Sequence, residues 1–447
     1  MKTVAIIGGG ASGLAAACML TNGGARILLL EKQSRVGRKL LSTGNGRCNL
    51  TNLRASPANY HGGAAHIRAA LESFPPEKTL AFFESLGVTC VSDAEGRVYP
   101  ASNAAAGVLD ALRLYADERG AETLADFDAV RITPAKNGFS VTAADGRKIA
   151  ADFVIVACGG LAAPKLGSGS GGYKLLEGLG HTTTPKLPAI APLKTDPDAV
   201  RALKGVRMHG EIALIRENQT ARTEVCRKSR TEITEPAFTR GNQAARAEFG
   251  GKARTEMSEA VRTEVGEILF NEGCISGIAA MQLAREVNLR MNRGETCCVR
   301  LNFCPNAPAN LIDRRAELLP ERTMDDFLSG IVPKRLGQVL IKEAGVTPLT
   351  VRAKELTARQ KGAIYDALTG WVLPVRGTLG FDAAQVTCGG ARLTEFDPNT
   401  LESKRVKNLF AAGEILDADG DCGGFNLQWA WAGAALCAKE ILARIQK

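Results

Sequence analysis

The chain has 447 residues, 45% hydrophobic and 23% charged, with 5% aromatics and a formal charge of +9. That length is too great for one ordinary core and implies two or three domains. No run of about eighteen apolar residues occurs, so no membrane span is expected. Lys and Arg interleave with Asp and Glu, and no RNA- or DNA-reading motif is present, so the basic balance reads as a solvated surface favouring anionic ligands, with no nucleic-acid partner.

Thr3–Ile7 is β-branched and apolar and reads as a short buried strand. The run MKTVAIIGGGASGLAAACML imitates a secretory signal, but Gly8–Gly10 split its apolar part, and a cytoplasmic chain is expected. Gly8, Gly10 and Gly13 fit G-x-G-x-x-G, Ser12–Asn22 reads as a helix closed by Gly23–Gly24, and a second strand, Ala25–Leu30, ends in Glu31. Each part has a physical task. Gly8 allows a tight turn, Gly10 lets a pyrophosphate approach the backbone, and Gly13 lets helix and strand pack closely. The helix start, including Ala11 and Ser12, offers amides and a partial positive charge to phosphate. Glu31, eighteen residues after Gly13, is placed to accept hydrogen bonds from ribose hydroxyls. Together these define a dinucleotide site.

After Glu31 the chain runs EKQSRVGRKLLSTGNGRCNLTN, placing Arg35, Arg38, Lys39 and a loop with Gly44, Asn45, Gly46 and Arg47 directly behind the ribose-binding acid. Gly167, Gly169 and Gly172 also match G-x-G-x-x-G, but the strand Phe153–Ala157 ends about ten residues earlier and no acidic strand end follows, so a Gly-rich turn is expected there. Between Pro192 and Phe270 the sequence turns β-rich and polar. Arg-Thr-Glu recurs at Arg222, Arg230, Arg254 and Arg262, which reads as a charged, mobile insertion. Amphipathic runs follow around Leu311–Leu319, Thr323–Ile331, Lys334–Ala344 and Ala358–Leu368, a small helical subdomain. The last block returns to the nucleotide domain with a short strand, Asn408–Ala412, a Gly/Asp loop, Gly413–Gly424, and an apolar helix, Leu427–Ile445, opened by Asn426.

Twelve cysteines lie scattered with no C-x-x-C pair or zinc spacing, which points to free thiols and to neither metal nor disulfide framework. Four histidines and no Ser/His/Asp set give no signal for hydrolysis.

The sequence resembles FAD-dependent oxidoreductases of the glutathione-reductase-like superfamily, and within it the bacterial flavoproteins that include aminoacetone oxidases and dehydro-bile-acid reductases. The matching features are E-K-x-x-x-x-G-R-K, T-G-N-G-R-C-N-x-T-N, GRVYPAS at Gly96–Ser102, VIVACGG at Val154–Gly160, GEILF at Gly266–Phe270, and ESKRVKNLFAAGEILDADGDCGGFNLQWAWAG. The resemblance implies FAD contacts from Glu31 to the ribose, from Arg38, Lys39 and the loop around Asn45 to the phosphates and flavin, and from the strand holding Val130 to the adenine. It implies further contacts from Gly413, Glu414 and Gly424, Phe425, Asn426 and Leu427. A helix start there can stabilise the negative charge of a reduced flavin. Two departures, Leu161-Ala162-Ala163 and Asn271–Ile278, put the substrate in doubt more than the cofactor.

The fold expected is α/β. A discontinuous Rossmann-like FAD-binding domain covers 1–192 and 379–447, and an inserted β-rich, barrel-like domain covers 193–304 and 370–378, with a charged insertion near 216–264. A small helical subdomain covers 305–369. The expected function is FAD-dependent reduction of an activated C=C bond in a small apolar or steroid-like substrate, with NADH or NADPH as transient electron donor. An amine oxidase that passes electrons to oxygen, and a flavin-binding redox sensor without turnover, stay open as alternatives. Cys48 lacks a C-x-x-C partner and reads as packing.

Overall fold

In the computed structural model, Thr3–Ile7 forms strand β1, fully buried from Val4 onward, in the middle of a five-stranded parallel sheet. The structure describes residues 1–216 and 260–446. Helix α1, Ala11–Leu20, follows directly, and strand β2, Arg26–Leu30, returns beside β1. The sheet order is Leu409–Ala411, Phe153–Val156, β1, β2, Glu122–Leu124, so a strand from the carboxy-terminal block completes a sheet begun at residue 3. A parallel sheet covered on both faces needs apolar strands, and FVIV and the Ile27–Leu30 run of β2 supply them, while Arg26 at the exposed start of β2 pairs with Glu122. Helix α1 is ASGLAAACML, and its small side chains let it lie close to β1 and to the long carboxy-terminal helix, Phe425–Ile445. Helix α2, Arg38–Ser42, starts the segment that runs behind Glu31.

The chain divides into two units, Met1–Ala191 with Gly380–Lys447, and Pro192–Leu379. The second is built on six antiparallel strands in the order Leu193–Lys194, Cys274–Ser276, Ala260–Asn271, Arg207–Arg216, Cys297–Asn302, Trp371–Val375. Its edges meet: Arg376 N donates to Lys194 O and Lys194 N to Gly377 O, both at 2.9 Å, so the sheet curls into a barrel-like form. Three helices, Leu311–Leu318, Lys334–Glu343 and Ala358–Gly370, follow the helical pattern of the sequence; Thr357 and Gln360 form a capping box on the last.

Two expectations are corrected. Thr323–Ile331 is not helical; Met324 N and Asp325 N donate to Val351 O and Leu349 O, and Thr323 bridges Arg352. Met324, Phe327 and Leu328 reach the core from irregular backbone, so their spacing imitated a helix without needing one. The triplet at Arg262 belongs to the strand Ala260–Asn271, which pairs with Arg207–Arg216 along that strand's length. The triplets at Arg222, Arg230 and Arg254 lie outside the described residues. The glycines at 167–172 form a turn, Gly167 at φ 106°, that leads into a short helix, Gly171–Glu177. Among the described residues no helix is long and apolar enough to cross a membrane.

Candidate cofactor and active site

The amino-terminal half of the site is fixed by backbone demands. Gly8 holds φ 109°, and a Cβ there would fall 2.6 Å from Ala157 O; a Cβ on Gly13 would fall 1.9 Å from Gly8 O. Strand and helix therefore approach as closely as bare glycine permits. A Cβ on Gly10, the N-cap of α1, would meet nothing within 4 Å, so the chain leaves room at the helix start where a phosphate would lie. Glu31 sits at the end of β2, where Oε2 accepts from Gly9 N at 2.8 Å and Oε1 from Gln33 N at 2.7 Å. Both bonds orient the carboxylate beside the turn, and each oxygen keeps lone-pair capacity for a ribose hydroxyl. Phe127 N donates to Glu31 O, which ties the segment before Val130 to the same place. Val130 lies at a bulge between Ala129, opposite Ala143, and Arg131, opposite Thr142, and is exposed.

Beyond Glu31, Arg38 donates to Gln33 Oε1 at 2.6 Å and to Lys165 O at 3.2 Å. The TGNG stretch takes a left-handed path, with φ of 56° at Gly44, 56° at Asn45 and 82° at Gly46. Such a path turns successive amides toward a common side. Arg47 lies over the Tyr99 ring, 4.7 Å from its centroid, while its Nε donates to Gly44 O. Cys48 is buried, and burial pushes its thiol up to about 12, so it packs and does not act as a thiolate.

The carboxy-terminal half docks onto this frame. Ser12 Oγ donates to Ala412 O at 3.3 Å, and a Cβ on Gly413 would lie 2.6 Å from Ser12 Oγ. Lys39 Nζ and Glu414 Oε2 pair at 2.8 Å, so these two expected contacts also hold each other across the site. Gly424, the N-cap of Phe425–Ile445, sits at φ 102° with room for no side chain: a Cβ would fall 2.5 Å from Thr51 O and 2.7 Å from Asn49 Oδ1. Asn426 folds back, accepting from Gly420 N and donating to Gly420 O, both at 2.8 Å. Phe425 is buried and Leu427 packs against the core. All the proposed FAD residues thus lie in the first unit, in elements joined by direct bonds.

Three residues outside the sequence-based set belong to this constellation. Asn49 is buried, and its Oδ1 has no hydrogen-bond partner although it faces the start of the long helix. A buried acceptor left open beside a helix N-terminus fits a ligand carrying an N–H next to a carbonyl, as the flavin pyrimidine edge does. Gln428, fully buried, accepts from Thr51 Oγ1 at 2.6 Å and Thr79 Oγ1 at 2.7 Å and donates to Phe74 O at 2.7 Å. Thr387 Oγ1 accepts from Leu161 N and Ala162 N, and its own N–H donates to Glu414 Oε1. Asn49 lies inside the very motif that supplied Asn45, and a Gln inside LQWAWAG is itself an anomaly; Thr387 left no signal.

The fold brings a serine, a histidine and a glutamate together away from the cofactor residues. His181 Nδ1 lies 2.9 Å from Glu395 Oε2 and Nε2 2.8 Å from Ser403 Oγ. Ser403 Oγ also accepts from Arg405 N and Val406 N, and Ser403 is buried, so its oxygen is committed to the turn and presents no nucleophile. Burial lowers His181, keeping the ring neutral. Among the described residues no three His, Cys, Asp or Glu gather as a metal would require.

A Rossmann-like sheet, a glycine turn, an acid at the end of β2 and a second helix N-terminus define the class, and the comparisons agree: this is an FAD-dependent oxidoreductase. The chain belongs to the family described as HI0933-like protein Rossmann domain, which it matches over residues 2–440. It is 34% identical to the 3-dehydro-bile acid delta(4,6)-reductase of Clostridium scindens, covering 99% of this chain and 100% of that one. It is 26% identical to the ribosomal RNA dihydrouridine synthase of Escherichia coli, covering 98% and 97%. Among solved structures it resembles the 3-ketosteroid delta1-dehydrogenase of Sterolibacterium denitrificans, at 13% identity and a TM-score of 0.48, covering 99% and 100%. The expectation of no nucleic-acid partner is not supported, because relatives named for a ribosomal RNA reaction match nearly end to end.

Proposed function

We propose that the chain reduces a carbon–carbon double bond conjugated to a carbonyl in a steroid-like 3-dehydro bile acid, with electrons from NADH or NADPH. The observation that carries this reading is the 34% identity to the bile-acid reductase over the full length of both chains. When bound, FAD supplies the two-electron chemistry, taking a hydride from a nicotinamide and passing it to an activated carbon. The protein's own part is placement and charge. The α1 start and the turn Gly8–Gly10 hold the pyrophosphate, Glu31 the ribose, and Val130 lies on the adenine side. Arg38, Lys39 and the Gly44–Arg47 loop line the path to the flavin, with Gly413 and Glu414 opposite. Asn49 and the amides after Gly424 meet the pyrimidine edge, where the helix N-terminus favours the anionic reduced state.

A second reading has its own support: the relatives named as ribosomal RNA dihydrouridine synthases match over nearly their whole length, and the chain is basic. Uridine carries the same kind of bond, a C=C conjugated to a carbonyl. One experiment separates the two. Purified holoprotein is bleached anaerobically with NADH or NADPH, then mixed with a 3-dehydro-4-ene bile acid or with unmodified ribosomal RNA, and products are weighed for a gain of two hydrogens. Reoxidation by the bile acid supports the first reading and by RNA the second. Bleaching by an amine but by neither nicotinamide refutes both and favours an oxidase.

A further inference from the structure

A titratable pair that the reading above does not use lies next to the loop leading into the long helix. His61 belongs to the short strand Tyr60–Gly62, antiparallel to Ala418–Gly420, with His61 opposite Asp419. Its Nε2 lies 3.3 Å from Asp421 Oδ1. Tyr60 points the other way, its hydroxyl donating to Phe425 O at 3.0 Å and its ring edge-on to Phe425. Strand alternation therefore sends His61 to the face away from that core contact. The two side chains keep 26% and 18% of their exposure, so the pair is partly desolvated yet open to a ligand.

Asp421 is held firmly: its N–H donates to Asn59 O at 2.9 Å and its carbonyl accepts from Asn426 Nδ2 at 3.3 Å. It stands three residues before Gly424, against which the open oxygen of Asn49 lies. Among the described residues, Nδ1 of His61 has no protein partner. The pair is thus built as an acid with one nitrogen anchored and the other free, its carboxylate carried by the loop that leads into the N-cap Gly424 of the long helix.

We propose that His61, oriented by Asp421, is the proton donor of the double-bond reduction; this rests on the cofactor and reaction proposed above. A C=C conjugated to a carbonyl takes up a hydride, with its two electrons, at the β-carbon, the reduced cofactor becoming oxidised. The π electrons then form a bond from the α-carbon to a proton as the Nδ1–H bond of His61 breaks. Asp421 accepts from Nε2–H throughout and fixes the orientation of the ring, and solvent returns the proton to Nδ1 afterwards. The demand is the same for an enone and for uridine, so the role does not depend on which substrate is right.

The chain has four histidines, so ring-15N labelling gives few signals, and His61→Gln assigns one of them. Adding FAD to the apoprotein is expected to shift the His61 signal. FAD bound with that signal unmoved overturns the proposal, whereas failure to bind FAD overturns the cofactor reading instead. In rapid mixing of reduced enzyme with a 3-dehydro-4-ene bile acid, and separately with ribosomal RNA, His61→Gln is expected to slow reoxidation by about 100-fold or more. FAD affinity and reduction by nicotinamide should stay unchanged, and added imidazole should restore part of the rate. Wild-type reoxidation of H61Q by the probe that reoxidises the parent enzyme overturns the proposal. If neither probe reoxidises the parent, the substrate reading fails and the labelling experiment decides the proposal alone.

Discussion

Replacing Gln428 by Leu tests whether the long helix is held at its start by polar bonds or only by packing. The amide is fully buried and makes three hydrogen bonds, two accepted from Thr51 and Thr79 and one donated to Phe74 O. Leucine fills a similar volume, so the cavity contribution is small. The two threonine hydroxyls converge on one oxygen and can re-pair with each other, which leaves one hydroxyl and the Phe74 carbonyl unsatisfied. At about 1–3 kcal/mol for each orphaned group, the loss is roughly 2–6 kcal/mol. For a unit of this size each kcal/mol lowers Tm by about 2–4 °C, so a fall on the order of 10 °C is expected. Calorimetry of the apoprotein reads it directly, and Thr79→Val, which removes one of the three bonds, should give a smaller fall. A Gln428→Leu apoprotein melting within about 2 °C of the parent would refute the argument. Because Gln428 lies one turn inside the helix from Gly424, the same variant should also bind FAD more weakly.

Gly13→Ala places a Cβ 1.9 Å from the Gly8 carbonyl, a backbone atom that cannot swing away, and should abolish FAD retention or folding; a stable, FAD-loaded variant would contradict the close approach of α1 and β1. Glu31→Ala removes the ribose acceptor and frees Gly9 N, and should weaken FAD binding about tenfold or more by fluorescence titration. Asn49→Leu should cost FAD affinity too, and it should lose discrimination against FAD methylated at the pyrimidine N3, which the parent protein should reject. Stability should fall with acid in two stages. Burial lowers His181 below its usual 6.5, so the folded state binds fewer protons there and stability is full above 6.5 and drops below it. Burial would raise Glu395, but bonds from Arg405, Thr182 and His181 outweigh it and hold the carboxyl at about 2; its contribution is full above 4.5 and drains toward 2. Denaturant titrations of His181→Gln should lose the first stage and keep the second.

The parts legible in the sequence are those where backbone geometry admits few residues. Gly8 and Gly13 are dictated by steric contact with Ala157 and Gly8 carbonyls, and Glu31 by the end of a strand, so local pattern was enough. The helix Lys334–Glu343 was likewise written in its own spacing. What local pattern could not show were partners distant in sequence: Gln428 reaches Thr51 and Thr79, and Thr387 reaches Leu161. Ser403 and His181 are also brought together only by the fold. The spacing of Met324, Phe327 and Leu328 misled because buried side chains at helical intervals can also hang from turns.

The assembly order of the site has a consequence for how the cofactor binds. Residues 8–47 and 413–427 share no local contact along the chain; they meet because Leu409–Ala411 pairs with Phe153–Val156 and because the long helix packs on α1. Trp429 Nε1 donates to Gly413 O and Trp431 Nε1 to Leu50 O, so the same helix whose start we propose for the flavin also seals the turn at Gly413 and the segment after Cys48. Docking of that helix and completion of the site are therefore one event. A ligand that touches both halves binds only the docked state, and it should stabilise it by about 4 kcal/mol when present at a thousand times its Kd. Amide exchange in Phe425–Ile445 should slow by the corresponding factor on adding FAD, whereas exchange in the sheet of the second unit, which contributes no proposed contact, should not change. Equal slowing in both would mean that the cofactor does not act through the carboxy-terminal helix.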